Sequence, residues 1–89
     1  MVTPSEVVFV SGLDPMTTAD AVMEHFRQCG EVSVVHLLRE RGTGRNRGIA
    51  KVTFDTIEEA EDAIERLNGS EIDGRILSVL ADASQVREP

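Results

Sequence analysis

Six stretches of patterned hydrophobicity follow one another in an order that few folds accept, and that order constrains this chain more than any other feature. Residues 6–11 (EVVFVS) are mostly β-branched or aromatic and are closed by Gly12 and the turn former Asp14-Pro15, which marks a strand. Val22, Phe26 and Cys29 then recur at helical spacing up to Gly30, with Thr17 three residues ahead of Asp20 as an approximate capping box. The spacing predicts one amphipathic helix, with Cys29 on its buried stripe and His25 on its solvent side as an ordinary surface residue.

Residues 32–38 (VSVVHLL) read as a second strand with both faces partly apolar, and the polar stretch 39–46, with Gly42 and Gly44, reads as a hairpin loop. In residues 48–54 (GIAKVTF), Ala50, Val52 and Phe54 alternate with Ile49, Lys51 and Thr53, so a third strand buries one face. Ile57, Ala60, Ala63, Ile64 and Leu67 repeat at helical spacing until Asn68-Gly69 ends the second helix. Residues 75–80 (RILSVL) read as the fourth strand. The expected organisation is an N-terminal extension over residues 1–5, one domain over 6–82 and a tail over 83–89.

The resulting order is βαββαβ, which predicts an α+β ferredoxin-like sandwich: a four-stranded antiparallel sheet with both helices on one face. The opposite face is left bare. Its expected residues are Val7, Phe9, Val34, His36, Leu38, Ile49, Ile76 and Leu80, an apolar set for a surface that water would otherwise cover.

With 89 residues there is room for one such domain. No apolar run approaches the roughly 18 residues of a membrane span, so no membrane partner is expected. The opening Met1-Val2-Thr3-Pro4 lacks the basic and apolar regions of a secretory signal, and the lone Cys29 offers no intramolecular disulfide. Those features predict an intracellular protein, monomeric as an isolated domain, in the nucleus, cytoplasm or an organelle. No nucleophile-and-base arrangement, metal-ligand cluster or phosphate-cradling loop is visible, so neither enzyme activity nor a cofactor or metal is expected.

Charge is unevenly distributed. The chain carries net −7, yet Arg39, Arg41, Arg45, Arg47 and Lys51, five of its nine basic residues, fall within thirteen positions beside a single acid, Glu40. The second helical stretch and its approach hold six acids: Asp55, Glu58, Glu59, Glu61, Asp62 and Glu65. A positive end beside an acidic face is compatible with a polyanionic partner despite the overall charge.

Several of these segments resemble the RNA recognition motif. Residues 8–13 (VFVSGL) look like the family's hexamer, whose second position carries a stacking aromatic, here Phe9. Residues 47–54 (RGIAKVTF) look like its octamer, K/R-G-F/Y-G/A-F-V-x-F/Y. Gly44-Arg45-Asn46-Arg47-Gly48 is similar to the family's loop into the third strand, and Leu67-Asn68-Gly69 with Ile72-Asp73-Gly74-Arg75 resembles its helix-to-strand signature. The octamer departs from the family at two positions usually aromatic, occupied here by Ile49 and Lys51.

What the resemblance implies is single-stranded RNA binding, as a module of an RNA-processing or RNA-regulatory protein. The contact residues expected on the sheet are Phe9, Ser11, His36, Ile49, Lys51 and Leu80, and the clustered Arg39, Arg41, Arg45 and Arg47 are expected to hold the backbone. Phe9 would be the stacking platform, since Phe26 and Phe54 fall on buried stripes. Lys51 can meet a phosphate or a base carbonyl but cannot stack. The alternative is a protein-interaction module on the same fold, using the aliphatic sheet face or the acidic second helix.

Overall fold

The computed structural model describes residues 6–43 and 46–81. The expected extension over residues 1–5 and the tail over 83–89 lie outside these, as do Gly44 and Arg45. The elements run β1 (Val7–Ser11), α1 (Ala19–Phe26) continued by a 3-10 turn (Arg27–Cys29), β2 (Val32–Arg39), β3 (Asn46–Phe54), α2 (Ile57–Leu67), β4 (Glu71–Ile72), β5 (Arg75–Ile76) and β6 (Ser78–Ala81). The main sheet is antiparallel with strand order β2-β3-β1-β6. The ferredoxin-like α+β architecture is therefore the one the segment order implies.

Strand alternation builds the core. Val8 and Val10 of β1, Ala50, Val52 and Phe54 of β3, Leu37 of β2 and Val79 of β6 all face inward and are buried. Val22 and Phe26 of α1 and Ala60, Ala63 and Leu67 of α2 enter the same cluster, so both helices cover one side of the sheet. The Phe26 and Phe54 rings meet at 6.4 Å, tilted by 55°, at the junction of the helical layer with the sheet. Cys29 packs against this core, and burial, reinforced by the Asp62 carboxylate, pushes its thiol pKa up, which favours packing over reactivity.

The helices start where local chemistry satisfies their free N–H groups. At α2, Thr56 Oγ1 accepts from Glu59 N while Glu59 Oε1 accepts from Thr56 N, a reciprocal capping box. The other Glu59 oxygen accepts from Glu31 N, tying the helix start to the approach to β2. At α1 the cap is Thr18, whose hydroxyl accepts from Ala21 N, and not Thr17 as the spacing suggests. Thr17 is buried and donates to Asp73 Oδ2 at 2.9 Å, a partner 56 residues away.

The expected fourth strand is divided. Arg75–Ile76 pairs with Glu71–Ile72 in a separate hairpin, and only Ser78–Ala81 joins the main sheet. Asp73 and Gly74 take φ of 52° and 80° at the hairpin's tip, the left-handed pair of a tight two-residue turn. Leu77 makes the break: its N–H goes to Ser70 O at 2.8 Å and its carbonyl accepts from Gly69 N at 2.9 Å, so its backbone serves the end of α2. Asn68 Oδ1 accepts from Val79 N, holding β6 to the same corner. Ile76, expected on the bare face, instead lies in the small hairpin and is 65% exposed there.

His25 is also not the surface residue the helical spacing suggests. It is half-buried, edge-on to Phe26, with Nε2 2.8 Å from Ser70 Oγ. Ser70 uses its one hydroxyl proton on Leu67 O at 2.6 Å, so His25 Nε2 must donate. Although a serine and a histidine are in contact, that serine's proton is committed elsewhere and the pair bridges two elements. Burial holds the His25 pKa below its ordinary value. The unfolded chain therefore binds the proton more readily, and stability falls as pH drops below about 6.5 until the folded-state pKa is passed. His25→Gln is expected to lose less Tm than the wild type between pH 7.5 and 5.5, as read by circular dichroism melts; equal losses would mean His25 titrates normally.

Candidate functional site

The bare side of the sheet carries a row of four side chains directly abreast. His36 on β2 is in register with Lys51 on β3, Lys51 with Phe9 on β1, and Phe9 with Leu80 on β6. At about 4.8 Å between strands, the row spans roughly 14 Å from His36 to Leu80. Phe9 and Lys51 are half-buried by their neighbours, while His36 is exposed and Leu80 is 51% exposed. An aromatic ring thus stands in line with an ammonium, an imidazole and an aliphatic side chain, on the side of the sheet that the helices leave bare.

The flanking rungs differ in character. On one side Ile49, Ser11 and Ser78 stand abreast across β3, β1 and β6, placing two hydroxyls beside the Phe9 row. On the other, Val34, Thr53 and Val7 stand abreast across β2, β3 and β1. Ser78 is absent from the expected set because it carries no apolar signal; its period-2 relation to Leu80 already puts it on this face. Thr53 is likewise brought to the face by the alternation that buries Val52 and Phe54.

Gly48 shapes one end of the surface. It holds φ +79° inside β3, and its carbonyl accepts from Leu13 N at 3.1 Å. A Cβ there would lie 2.9 Å from Leu13 O, so the octamer's second position admits glycine for both its backbone angle and this close approach. The crossing pins the loop after β1 against β3.

The β2–β3 hairpin rises at the rim. Arg39 ends β2 in register with Asn46, Arg41 lies in the turn, and Arg47 is exposed on β3. Arg45, the remaining arginine expected here, lies outside the described residues. Arg75 belongs elsewhere, with Nε 3.3 Å from Asp14 Oδ2 at the β4–β5 hairpin.

The helical layer carries the opposite charge. Asp20 and Glu24 on α1 and Glu58, Glu61 and Glu65 on α2 are exposed on the far side of the sheet from Phe9. Arg66 there is paired with Asp62 at 2.8 Å. The uneven charge of the sequence thus becomes a basic rim and an acidic back. Among the described residues, no three His, Cys, Asp or Glu side chains come together to hold a metal ion, and no helix is long and apolar enough to cross a membrane.

The family model for the RNA recognition motif matches residues 8–78. A glycine-rich RNA-binding protein of Daucus carota is 39% identical over 71 residues, covering 80% of this chain and 45% of that protein. The chain spans between about a quarter and a half of the curated relatives it matches. Among solved structures it is similar to the RNA15 RRM, with TM-score 0.84 and 25% identity over 90% of this chain and 92% of that one. It is also similar to the SXL-lethal protein in a protein/RNA complex, with TM-score 0.80 and 33% identity over 86% of this chain and 47% of that one.

Proposed function

This chain belongs to the RNA recognition motif family, and from that membership we propose that it binds single-stranded RNA on its bare sheet face as one module of a longer RNA-processing or RNA-regulatory protein. The observation that carries the reading is the row His36, Lys51, Phe9, Leu80, which sets one aromatic platform among groups suited to bases and phosphates. The likeness to a glycine-rich RNA-binding protein and to the protein of an RNA complex supports it. The role is binding and not catalysis, inside the cell where RNA is found, and the isolated domain acts as a monomer.

Phe9 stacks a base, Ser11, Ile49 and Leu80 line the surface around it, and His36 and Lys51 extend it towards β2. Arg39, Arg41, Arg45 and Arg47 hold phosphates at the rim, while the acidic helical layer turns RNA away from the back. With one aromatic platform in place of the family's usual two or three, affinity leans on charge and on tethering to neighbouring modules.

Titration of labelled short RNAs at two salt concentrations tests the reading. Binding that weakens steeply with salt is expected; no binding at high micromolar protein would favour a protein occupant of the same face, which Val34 and Leu80, 54% and 51% exposed, would also suit. Replacing Arg41, Arg45 and Arg47 together with Ala should lower affinity for all single-stranded sequences by a similar factor. It should also flatten the slope of log K against log salt by about 0.7 for each phosphate no longer neutralised. An unchanged slope would reduce the hairpin to a solvated loop.

A further inference from the structure

We propose that Lys51 selects the base that lies on Phe9, favouring the keto bases uracil and guanine over the amino bases cytosine and adenine. The inference rests on the RNA-binding reading above and deepens it.

Register supplies the geometry. Lys51 is the direct cross-strand partner of Phe9, and Leu80 is its partner on the other side. Side chains directly opposite in an antiparallel pair have Cβ atoms about 4.5–5.5 Å apart, so a base resting on the Phe9 ring brings an edge within reach of the Lys51 stem and head. Leu80 offers that base no polar contact. Ser11 and Ser78, on the adjacent rung, offer hydroxyls that donate or accept as required and therefore do not discriminate by sign. Lys51 differs from all of these: its ammonium carries three donors and no acceptor.

A donor-only group set at the C4 edge of a pyrimidine or the C6 edge of a purine reads the exocyclic position. Guanine presents O6 there and uracil O4, both acceptors; adenine presents the N6 amino group and cytosine the N4 amino group, both donors. Facing the amino group of adenine or cytosine, Lys51 meets another donor and must shift to a ring nitrogen or, on cytosine, to O2. Facing a keto base, it gains a charge-assisted hydrogen bond in a partly desolvated place. Ile49 on the preceding rung has no polar atom with which to offset this bias. The aromatic residue usual at the Lys51 position would stack on any base, so this chain exchanges a platform for a preference.

Uracil and cytosine make the cleanest comparison, since their rings are alike in size and share O2, differing at the 4-position and in the N3 proton that goes with it. The probes are octauridylate and octacytidylate, titrated against the whole chain and its Lys51→Met and Lys51→Arg variants at two salt concentrations. Wild type is expected to bind octauridylate about tenfold more tightly than octacytidylate. Lys51→Met should bring that ratio within about twofold and leave the salt slope unchanged, while Lys51→Arg, still a donor, should keep the preference. Equal affinity of the wild type for both oligomers would overturn the inference while leaving RNA binding intact. So would a Lys51→Met variant that weakens both equally and flattens the slope by about 0.7, because Lys51 would then be a phosphate anchor. Failure of the wild type to bind either oligomer would overturn the RNA-binding reading as well. Matching melts of wild type and Lys51→Met are expected from a residue on the open face.

Discussion

Phe54→Ala is expected to cost the domain about 3–5 kcal/mol, a loss of stability that truncating the open-face Phe9 should not approach. Phe54 is 1% exposed, meets Phe26 ring to ring, and donates its N–H to Glu6 O at 2.8 Å at the end of β3. Removing the ring leaves a cavity that neighbouring valines and alanines are too short to fill. In a domain of this size, such a loss should lower Tm by roughly 12–30 °C, readable by circular dichroism. Phe9→Ala, on the open face, should move Tm only a little. A melt of Phe54→Ala matching wild type would mean that β3 presents its other face to the core.

The complementary result is expected in binding. Phe9→Ala should weaken RNA affinity by about 5- to 150-fold, the equivalent of the roughly 1–3 kcal/mol carried by a base stacked on an aromatic ring. The slope against salt should stay almost unchanged, because stacking releases few counterions. This is the opposite of what the triple-arginine variant should show, and the contrast separates platform from rim. Equal RNA affinity of wild type and Phe9→Ala would move the contact site from the sheet to the loops.

What was legible in the sequence is what local periodicity determines. The alternation through residues 48–54 correctly assigned Ala50, Val52 and Phe54 to the core and Ile49, Lys51 and Thr53 to the other side, and helical spacing placed Val22, Phe26, Ala60 and Leu67 inside. Phe9, His36, Lys51 and Leu80 could each be put on the bare face, but that they stand in one row depends on strand register, which no single strand encodes. The misreadings share a cause. Thr17 and Thr18 are adjacent and chemically alike, and the choice between them is made by Asp73, far along the chain. His25 looks like surface until Ser70 arrives 45 residues later. Ile76, Ser78 and Leu80 keep a period of two, so nothing in the spacing shows that Leu77 gives its backbone to the end of α2. The Asp73-Gly74 turn was the available warning, and its hairpin is what divides the strand.

The position of β1 between β3 and β6 has a consequence for how the molecule comes into being. Within this domain the strand synthesised first is an interior strand, and both its neighbours are made later: β3 supplies partners for Val7 to Ser11 from residues 49–53, and β6 supplies partners for Val8 to Ser11 from residues 78–81. While the chain is growing, β1 waits with its hydrogen-bonding edges open, then with one edge closed, until nearly the whole domain has been released. Closing these long loops costs entropy that no early local contact offsets. The row through Phe9 therefore gains its Leu80 end only as the last strand docks. The surface is therefore completed from one side to the other: β3 can set Lys51 beside Phe9 first, and only the late docking of β6 closes the second edge of β1 and finishes the face.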